Sequence, residues 1–133
     1  ARLRIVNQRQ IKHWRLRMRH GAFFISNPSF SGAFLVGGAD GDWFIDDTLF
    51  EFKVVDRITA PRVRQVLMQL LGYLILDLDN DYEAERIGIW LPRQAMIRTW
   101  EIKKILGSRS GEVLTRARAD AQRLPEQRLG MIA

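Results

Sequence analysis

Two apolar runs separated by a two-residue polar break constrain this chain more than any other feature of its sequence. The runs cover residues 42–45 and 48–54, and Asp46-Asp47 stands between them. Aspartate tolerates the positive φ angle of a tight turn, so this pattern predicts a β-hairpin. The second run is apolar on both sides of Glu51. It is therefore predicted to be a central strand, in which a charged side chain needs a specific reason.

The hairpin would bring charged side chains together. If Asp46-Asp47 forms the turn, counting outward places Asp42 opposite Glu51 and Asp40 opposite Lys53. Cross-strand partners have Cβ atoms about 5 Å apart, and alternate residues share a face. Two carboxylates and a lysine would then meet on one face of the sheet. A register slip of two residues would exchange Asp40 and Asp42.

The rest of the chain predicts an α/β fold, with a central mixed sheet flanked by helices. The Leu-rich run from Val63 to Leu78 has helical periodicity after an N-cap at Thr59 and Pro61 in the first turn, and its breadth predicts a largely buried helix. The other predicted elements are helices at Arg2–Arg19 and Glu112–Arg123, strands at Ala22–Ser26, Ala33–Val36, Ile87–Leu91 and Met96–Ile102, and connections at Asn27–Ser29, Asp77–Glu85, Pro92–Ala95 and Gly107–Gly111.

Length and composition narrow the class of protein. A chain of 133 residues fits one domain, divided here into a basic segment (1–36), a motif-bearing core (37–102) and a helical C-terminal segment (103–133). The sequence contains no cysteine, which excludes disulfides, thiolate zinc sites and cysteine nucleophiles. No apolar run reaches the roughly 18 residues of a membrane span. We expect a cytoplasmic protein with no membrane partner.

Positive charge is concentrated at the N-terminus. Residues 1–39 contain seven Lys or Arg and no Asp or Glu, although the whole chain carries 21 basic and 15 acidic residues. A segment whose charged side chains are all positive attracts polyanions, and nucleic acid is the commonest intracellular polyanion. Arg15, Arg17 and Arg19 are the candidate phosphate contacts. A basic helix that binds an acidic protein is an alternative explanation.

The predicted hairpin contains the components of a metal-dependent phosphodiesterase. Asp42 and Glu51 supply only oxygen ligands, which suit a hard cation such as Mg²⁺ or Mn²⁺. Such a cation polarises a phosphoryl oxygen and acidifies a bound water, while Lys53 could orient that water or stabilise negative charge. A surface hairpin with solvated charges would have the same sequence, because an E-x-K pattern is common.

The segment from Gly37-Gly38-Ala39-Asp40 to Glu51-Phe52-Lys53 resembles the core motif of the PD-(D/E)XK nuclease superfamily. Gln69-Leu70-Leu71-Gly72-Tyr73 is similar to the Q-x-x-x-Y signature of its RecB-like branch. The resemblance implies a restriction-endonuclease-like core, nuclease activity on nucleic acid with DNA favoured, and Mg²⁺ or Mn²⁺ as cofactor. It also implies that Asp42, Glu51 and the Phe52 carbonyl hold the metal.

A polar stripe on the Leu-rich helix agrees with this resemblance. Arg62, Gln65, Gln69 and Tyr73 lie three or four residues apart, which places them on one side of the helix. In a nuclease the stripe would border the site and contact nucleic acid. The alternative is that Gln69 and Tyr73 satisfy hydrogen bonds in the core.

The sequence departs from the family pattern before the hairpin. Many members carry a glutamate on an earlier helix, but no acidic residue precedes Asp40. The resemblance allows a histidine in that region, so His13 or His20 could replace the glutamate, and Asp40 is a further candidate ligand. A non-catalytic nucleic-acid-binding module that retains the fold is the alternative function.

Overall fold

A computed structural model describes residues 4–5 and 23–124 of the chain. Its centre is a mixed sheet of six strands that lie side by side in chain order. β1 and β2 pair in parallel, as do β4 and β5, and the other neighbours are antiparallel. The predicted mixed α/β architecture is therefore confirmed. The strands are β1 (Arg4–Ile5), β2 (Phe23–Ser26), β3 (Trp43–Ile45), β4 (Thr48–Phe52), β5 (Arg86–Leu91) and β6 (Met96–Glu101).

Three α-helices accompany the sheet in the described ranges. α1 (Ala60–Leu76) connects the parallel strands β4 and β5, α2 (Ile102–Leu106) follows β6 directly, and α3 (Ser110–Arg123) ends the described chain. Short 3₁₀ helices cover Ala33–Val36 and Pro92–Gln94. The sequence did not predict α2 as a separate helix, and it placed Ile102 at the end of β6 instead of the start of α2.

The predicted hairpin and its register are confirmed between the turn and the Trp43–Phe50 pair. The predicted placement of Asp40 opposite Lys53 is wrong, because the chain before Trp43 leaves β4 and Asp40 bridges Ser29 instead. Ile45 pairs with Thr48 and Trp43 pairs with Phe50, with Asp46 in the turn at a φ of 56°. β4 lies between β3 and β5, so it is a central strand. The register is fixed because Phe44 and Leu49, which are fully buried, face the core together.

α1 begins as its sequence predicts. Thr59 is the N-cap, and its side chain accepts a hydrogen bond from the Arg62 N–H at 3.4 Å. The prediction of a largely buried helix is wrong, because the burial is confined to one side. Leu70 is completely buried, whereas the side chain of Met68 is 65% exposed. The sheet covers only one stripe of the helix, so apolar residues outside that stripe face away from the core.

The core lies between α1 and one face of the sheet. That face carries the side chains of Leu49, Ile87 and Ile89. Leu49 pairs with Ile87, and Ile89 lies two residues further along β5, so all three point to the same side of the sheet. They cluster with the buried stripe of α1 and with single side chains from α2 and α3. The cluster members from the helices are Val66, Leu70, Leu71, Leu74, Leu76, Ile102 and Leu114.

Two other local predictions are wrong. The run Ala33–Val36, predicted to be extended, forms a 3₁₀ helix that ends at Gly37 in the left-handed region, with a φ of 78°. Leu35 is the only buried residue of this run, and Phe34 is 55% exposed. Arg4–Ile5 are extended and pair with β2, although a helix was predicted there. The remainder of the predicted helix up to Arg19 lies outside the described residues.

The remaining predicted connections are present. Asn27 turns the chain with a φ of 50°, and residues 77–85 form a loop before β5. The predicted break after Gly107 is shorter than expected, because α3 already begins at Ser110. None of the helices in the described ranges has the length and apolar character needed to cross a bilayer.

Candidate functional site

The candidate site lies where β3 and β4 separate. The two strands pair as far as Trp43 and Phe50, after which the chain before Trp43 follows β2 instead. The Asn27 N–H donates to the Asp42 carbonyl at 2.9 Å, and Ser29 forms an isolated bridge with Asp40. The strands therefore form a fork that opens at Asp42.

The side chain of Asp42 spans this fork. Its Oδ2 accepts a hydrogen bond from the Phe52 N–H at 2.8 Å, replacing a backbone acceptor that β3 no longer offers. Gly41, one residue earlier, has no room for a side chain, since a Cβ there would lie 2.9 Å from a Leu49 methyl carbon. The glycine thus permits the close packing that holds Asp42 at the fork.

Glu51 and Lys53 share one face of β4, and their side chains contact each other. Glu51 is only 8% exposed. The Lys53 Nζ lies 3.3 Å from the Glu51 Oε1, at the upper end of hydrogen-bonding distance. A burial this deep for a carboxylate requires compensation by charge, and Lys53 supplies part of it.

The direction of the Phe52 carbonyl, the third predicted ligand, follows from the pairing of the neighbouring residue with β5. The Lys53 N–H donates to the Trp90 carbonyl of β5 at 3.0 Å, so the backbone groups of Lys53 face β5. Backbone groups of consecutive strand residues point in opposite directions. The carbonyl of Phe52 is therefore directed to the side of β4 on which Asp42 lies.

The electrostatics of the site are unfavourable for a second negative charge. Burial raises the pKa of the Glu51 carboxyl above its usual value of 4.5, and the nearby Asp42 carboxylate raises it further. Lys53 opposes this pKa shift through its charge and its hydrogen bond, but the balance remains upward. The fold thus holds two carboxyls close together in a place that favours one proton or one cation between them.

This arrangement fits a hard divalent cation. Asp42 and Glu51 provide carboxylate oxygens, and the Phe52 carbonyl provides a neutral one. Across residues 4–5 and 23–124, no cluster of three or more His, Asp or Glu side chains could hold a metal. Mg²⁺ is commonly bound through one or two carboxylates together with waters and substrate phosphates, so Asp42 and Glu51 are the carboxylates of this site that could hold that ion.

Asp40 lies away from the fork. Burial raises the pKa of the Tyr82 hydroxyl, and the charges of Asp77, Asp81 and, least, Asp40 raise it further. Tyr82 is completely buried and donates a hydrogen bond to the Ser29 carbonyl at 2.5 Å. The side chain of Asp42, and not that of Asp40, therefore interacts with Glu51, while Asp40 stands beside the residues that anchor the chain after β2.

The predicted polar stripe forms two internal pairs on α1. Arg62 donates to Gln65 at 2.7 Å, and the Gln69 amide donates to the Tyr73 hydroxyl at 2.6 Å. The Tyr73 ring stacks on Phe30 with centroids 5.4 Å apart. Tyr73 is half-buried and Gln69 is exposed, so the pair lies at the edge of the core rather than within it.

Sequence reasoning missed the residues that hold the chain beyond Lys53. The Gln94 amide donates to the carbonyls of Val55 and Asp56 at 2.8 and 2.9 Å. Arg93 forms an ion pair with Asp56. These contacts join segments 37 to 39 residues apart, and nothing in the local pattern of either segment signals them. The candidate residues His13, Arg15, Arg17, Arg19 and His20 lie outside the described residues.

Comparisons of this chain with protein-family models, with curated proteins and with solved structures find no match. The site is therefore interpreted from its own chemistry.

Proposed function

We propose that this protein is a metal-dependent nuclease with a restriction-endonuclease-like core, which hydrolyses phosphodiester bonds of nucleic acid, with DNA as the favoured substrate. The observation that carries the proposal is the placement of Asp42, Glu51 and Lys53 at one fork in a central sheet. A buried carboxyl with a raised pKa beside a second carboxyl is costly for folding, and functional sites are where such costs concentrate.

Asp42, Glu51 and the Phe52 carbonyl are the groups that would hold a Mg²⁺ or Mn²⁺ ion. A bound ion of this kind supplies positive charge at the phosphoryl oxygen and lowers the pKa of a coordinated water. Asp42 is fixed by the Phe52 N–H, so one of its oxygens is oriented before any ligand arrives. Such preorganisation removes the cost of arranging the site during the reaction.

Lys53 has two roles in the proposal. Without a metal, its ammonium group partly neutralises Glu51 at 3.3 Å. With the carboxylates engaged, the ammonium becomes available to orient the attacking water or to stabilise charge on the phosphate. Gln69 and Tyr73, together with Arg62 and Gln65, provide polar groups on α1 for the nucleic-acid backbone.

Nuclease assays with plasmid DNA, single-stranded DNA and RNA test the proposal, each with Mg²⁺, with Mn²⁺ and with a chelator. We expect cleavage that requires the metal and is lost in Glu51→Gln. Glu112→Gln is the matched control, because Glu112 is exposed on α3 and undergoes the same chemical change. Calorimetric titration with Mn²⁺ should show binding to the wild type and to Glu112→Gln, and none to Glu51→Gln.

A non-catalytic binding module is the second candidate, and the Lys53–Glu51 ion pair favours it, because the pair can neutralise the buried charge without any metal. A binding module should retain nucleic acid in the presence of chelator and cleave none of the three substrates. Absence of cleavage with both metals, together with chelator-resistant binding, would replace the nuclease proposal with this one.

A further inference from the structure

The strand β6 forms a long edge of the sheet. Among the described residues it pairs with β5 on one side and with no strand on the other. Residues Met96 to Thr99 are all exposed, and the side chains of Met96 and Ile97 are 36% and 53% exposed. The unpaired backbone N–H and C=O groups of an exposed edge strand are a template for pairing with another strand. Exposed apolar side chains on that strand favour such pairing.

The pairing of β6 with β5 determines which backbone groups of β6 point away from the sheet. The Ile102 N–H donates to the Glu85 carbonyl at 2.9 Å, and this pair continues the register that joins β5 to β6. In an antiparallel pair, alternate residues direct their backbone groups to the neighbouring strand. Trp100, Arg98 and Met96 therefore face β5, and the N–H and C=O groups of Ile97 and Thr99 point away from the sheet.

β6 lacks several of the usual features that protect an edge. It pairs residue for residue with β5 from Met96 to Glu101, so no bulge twists it away. It contains no proline, and Arg98 and Glu101 are the two charged residues among its five exposed positions. Natural edge strands are generally blunted by charges, prolines, bulges or a covering element.

An apolar row on the sheet ends at this edge. Phe52, Trp90 and Ile97 are direct neighbours across β4, β5 and β6, on the face opposite α1. The rings of Phe52 and Trp90 lie 5.2 Å apart, and Trp43 packs against both of them. Ile97 is the exposed terminal member of the row, so a strand added at the edge would cover it.

We propose that β6 pairs with β6 of a second copy of this chain, in an antiparallel arrangement centred on Ile97. The two-fold axis is perpendicular to the sheet, so residues on the same face meet. Ile97 then faces the second copy's Ile97, and Arg98 faces the second copy's Met96. A register centred on Arg98 would oppose two like charges and is disfavoured. The Ile97 register also continues the apolar row from one copy into the next.

The edges of the sheet favour a closed dimer over an open chain of copies. The opposite edge, in the described residues, is β1, which has only two residues. A head-to-tail assembly would need two complementary long edges, whereas β6 with itself is self-complementary and closes after two copies. Between copies of this chain, the proposed partner of β6 is therefore a second β6 and not β1.

Analytical ultracentrifugation of the full chain over a concentration series tests the dimer. We expect the wild type to reach a mass twice that of the 15.5 kDa chain and Ile97→Lys to remain monomeric, because two lysines would face each other at the centre. Met68→Lys is the matched control, since Met68 is also an exposed apolar residue but lies on α1, and it should dimerise like the wild type. A monomeric wild type, a dimeric Ile97→Lys or a monomeric Met68→Lys would each overturn the proposal, with circular dichroism verifying that every variant is folded.

Cross-linking tests the register, and the absence of cysteine from the sequence makes single-cysteine variants specific. With a short bismaleimide, Ile97→Cys should form a covalent dimer much faster than Thr99→Cys, and Met68→Cys should form none. Faster cross-linking of Thr99→Cys than of Ile97→Cys would show that the register is wrong.

Discussion

The Oδ2 of Asp42 lies 2.8 Å from the backbone N of Phe52, and this hydrogen bond joins two strands at the point where their backbones stop pairing. One carboxylate thus takes part in the fold and in the proposed metal site. The two roles can be separated, because an amide oxygen accepts a hydrogen bond but carries no charge.

Asp42→Ala and Asp42→Asn should therefore differ in stability. The alanine variant leaves the Phe52 N–H without its acceptor, and we expect a loss of about 1–3 kcal/mol in the free energy of unfolding. The asparagine variant should keep most of that stability and still lose Mn²⁺ binding. Urea denaturation measures the first effect and calorimetry the second. Equal stability of the two variants would mean that the hydrogen bond contributes little to folding.

The raised pKa of Glu51 predicts a specific pH dependence. A carboxyl whose pKa is higher in the folded state binds more protons there than in the unfolded state. Its contribution to stability is complete below its usual pKa of 4.5 and is lost as the pH rises through the folded-state pKa. Glu51→Gln removes this loss, so its stability advantage over the wild type should grow with pH across that window. Thermal unfolding at a series of pH values, without metal, measures the difference; a constant difference would contradict the prediction.

Lys53→Ala should separate catalysis from metal binding. Lys53 adds positive charge beside the carboxylates without being a ligand, so the variant should bind Mn²⁺ nearly as the wild type does. It should still fold, with a loss of stability in the absence of metal because Glu51 loses part of its charge compensation. Cleavage should fall by about a hundredfold or more, the scale for loss of one preorganised stabiliser. Lys53→Arg should restore cleavage only in part, because a planar guanidinium cannot replace a compact ammonium. Undiminished cleavage by Lys53→Ala would refute the role given to this residue.

Two glycines provide a matched test of the packing around β5. A Cβ at Gly88 would lie 2.5 Å from a Phe50 ring carbon and 3.1 Å from the Arg98 carbonyl oxygen, whereas a Cβ at Gly72 in α1 would meet nothing within 4 Å. Gly88→Ala should destabilise the protein by about 1–3 kcal/mol. Gly72→Ala should stabilise it by up to about 1 kcal/mol, because alanine favours helix. Chemical denaturation of both variants measures whether the free energy of unfolding falls in Gly88→Ala and rises in Gly72→Ala.

The features that could be predicted from the sequence are local. The hairpin register follows from two turn residues and the alternation around them, so the approach of the Asp42 and Glu51 side chains could be predicted from the sequence. α1 was accessible for the same reason, because Thr59 and Pro61 mark its start and the leucines give its period.

The features that could not be predicted depend on distant segments. The run Ala33–Val36 has a strand-like composition, but Gly32 donates a hydrogen bond to the Leu76 carbonyl at 2.7 Å and begins a 3₁₀ helix instead. Gln94 contacts the chain after β4 from 38 residues away. The partial exposure of α1 could not be predicted either, because the sequence gives the width of the apolar stripe but not the area of it that the sheet covers.

The parallel pairing of β4 with β5 has a consequence for the order of folding. Asp42 and Glu51 belong to a hairpin closed by two residues, which can form early. The Lys53 N–H, in contrast, finds its acceptor on Trp90 only after the 17 residues of α1 have crossed the sheet. Pairing between distant segments is the slow step in folding. The backbone of Lys53 is therefore expected to be fixed later in folding than the hairpin that carries Asp42 and Glu51.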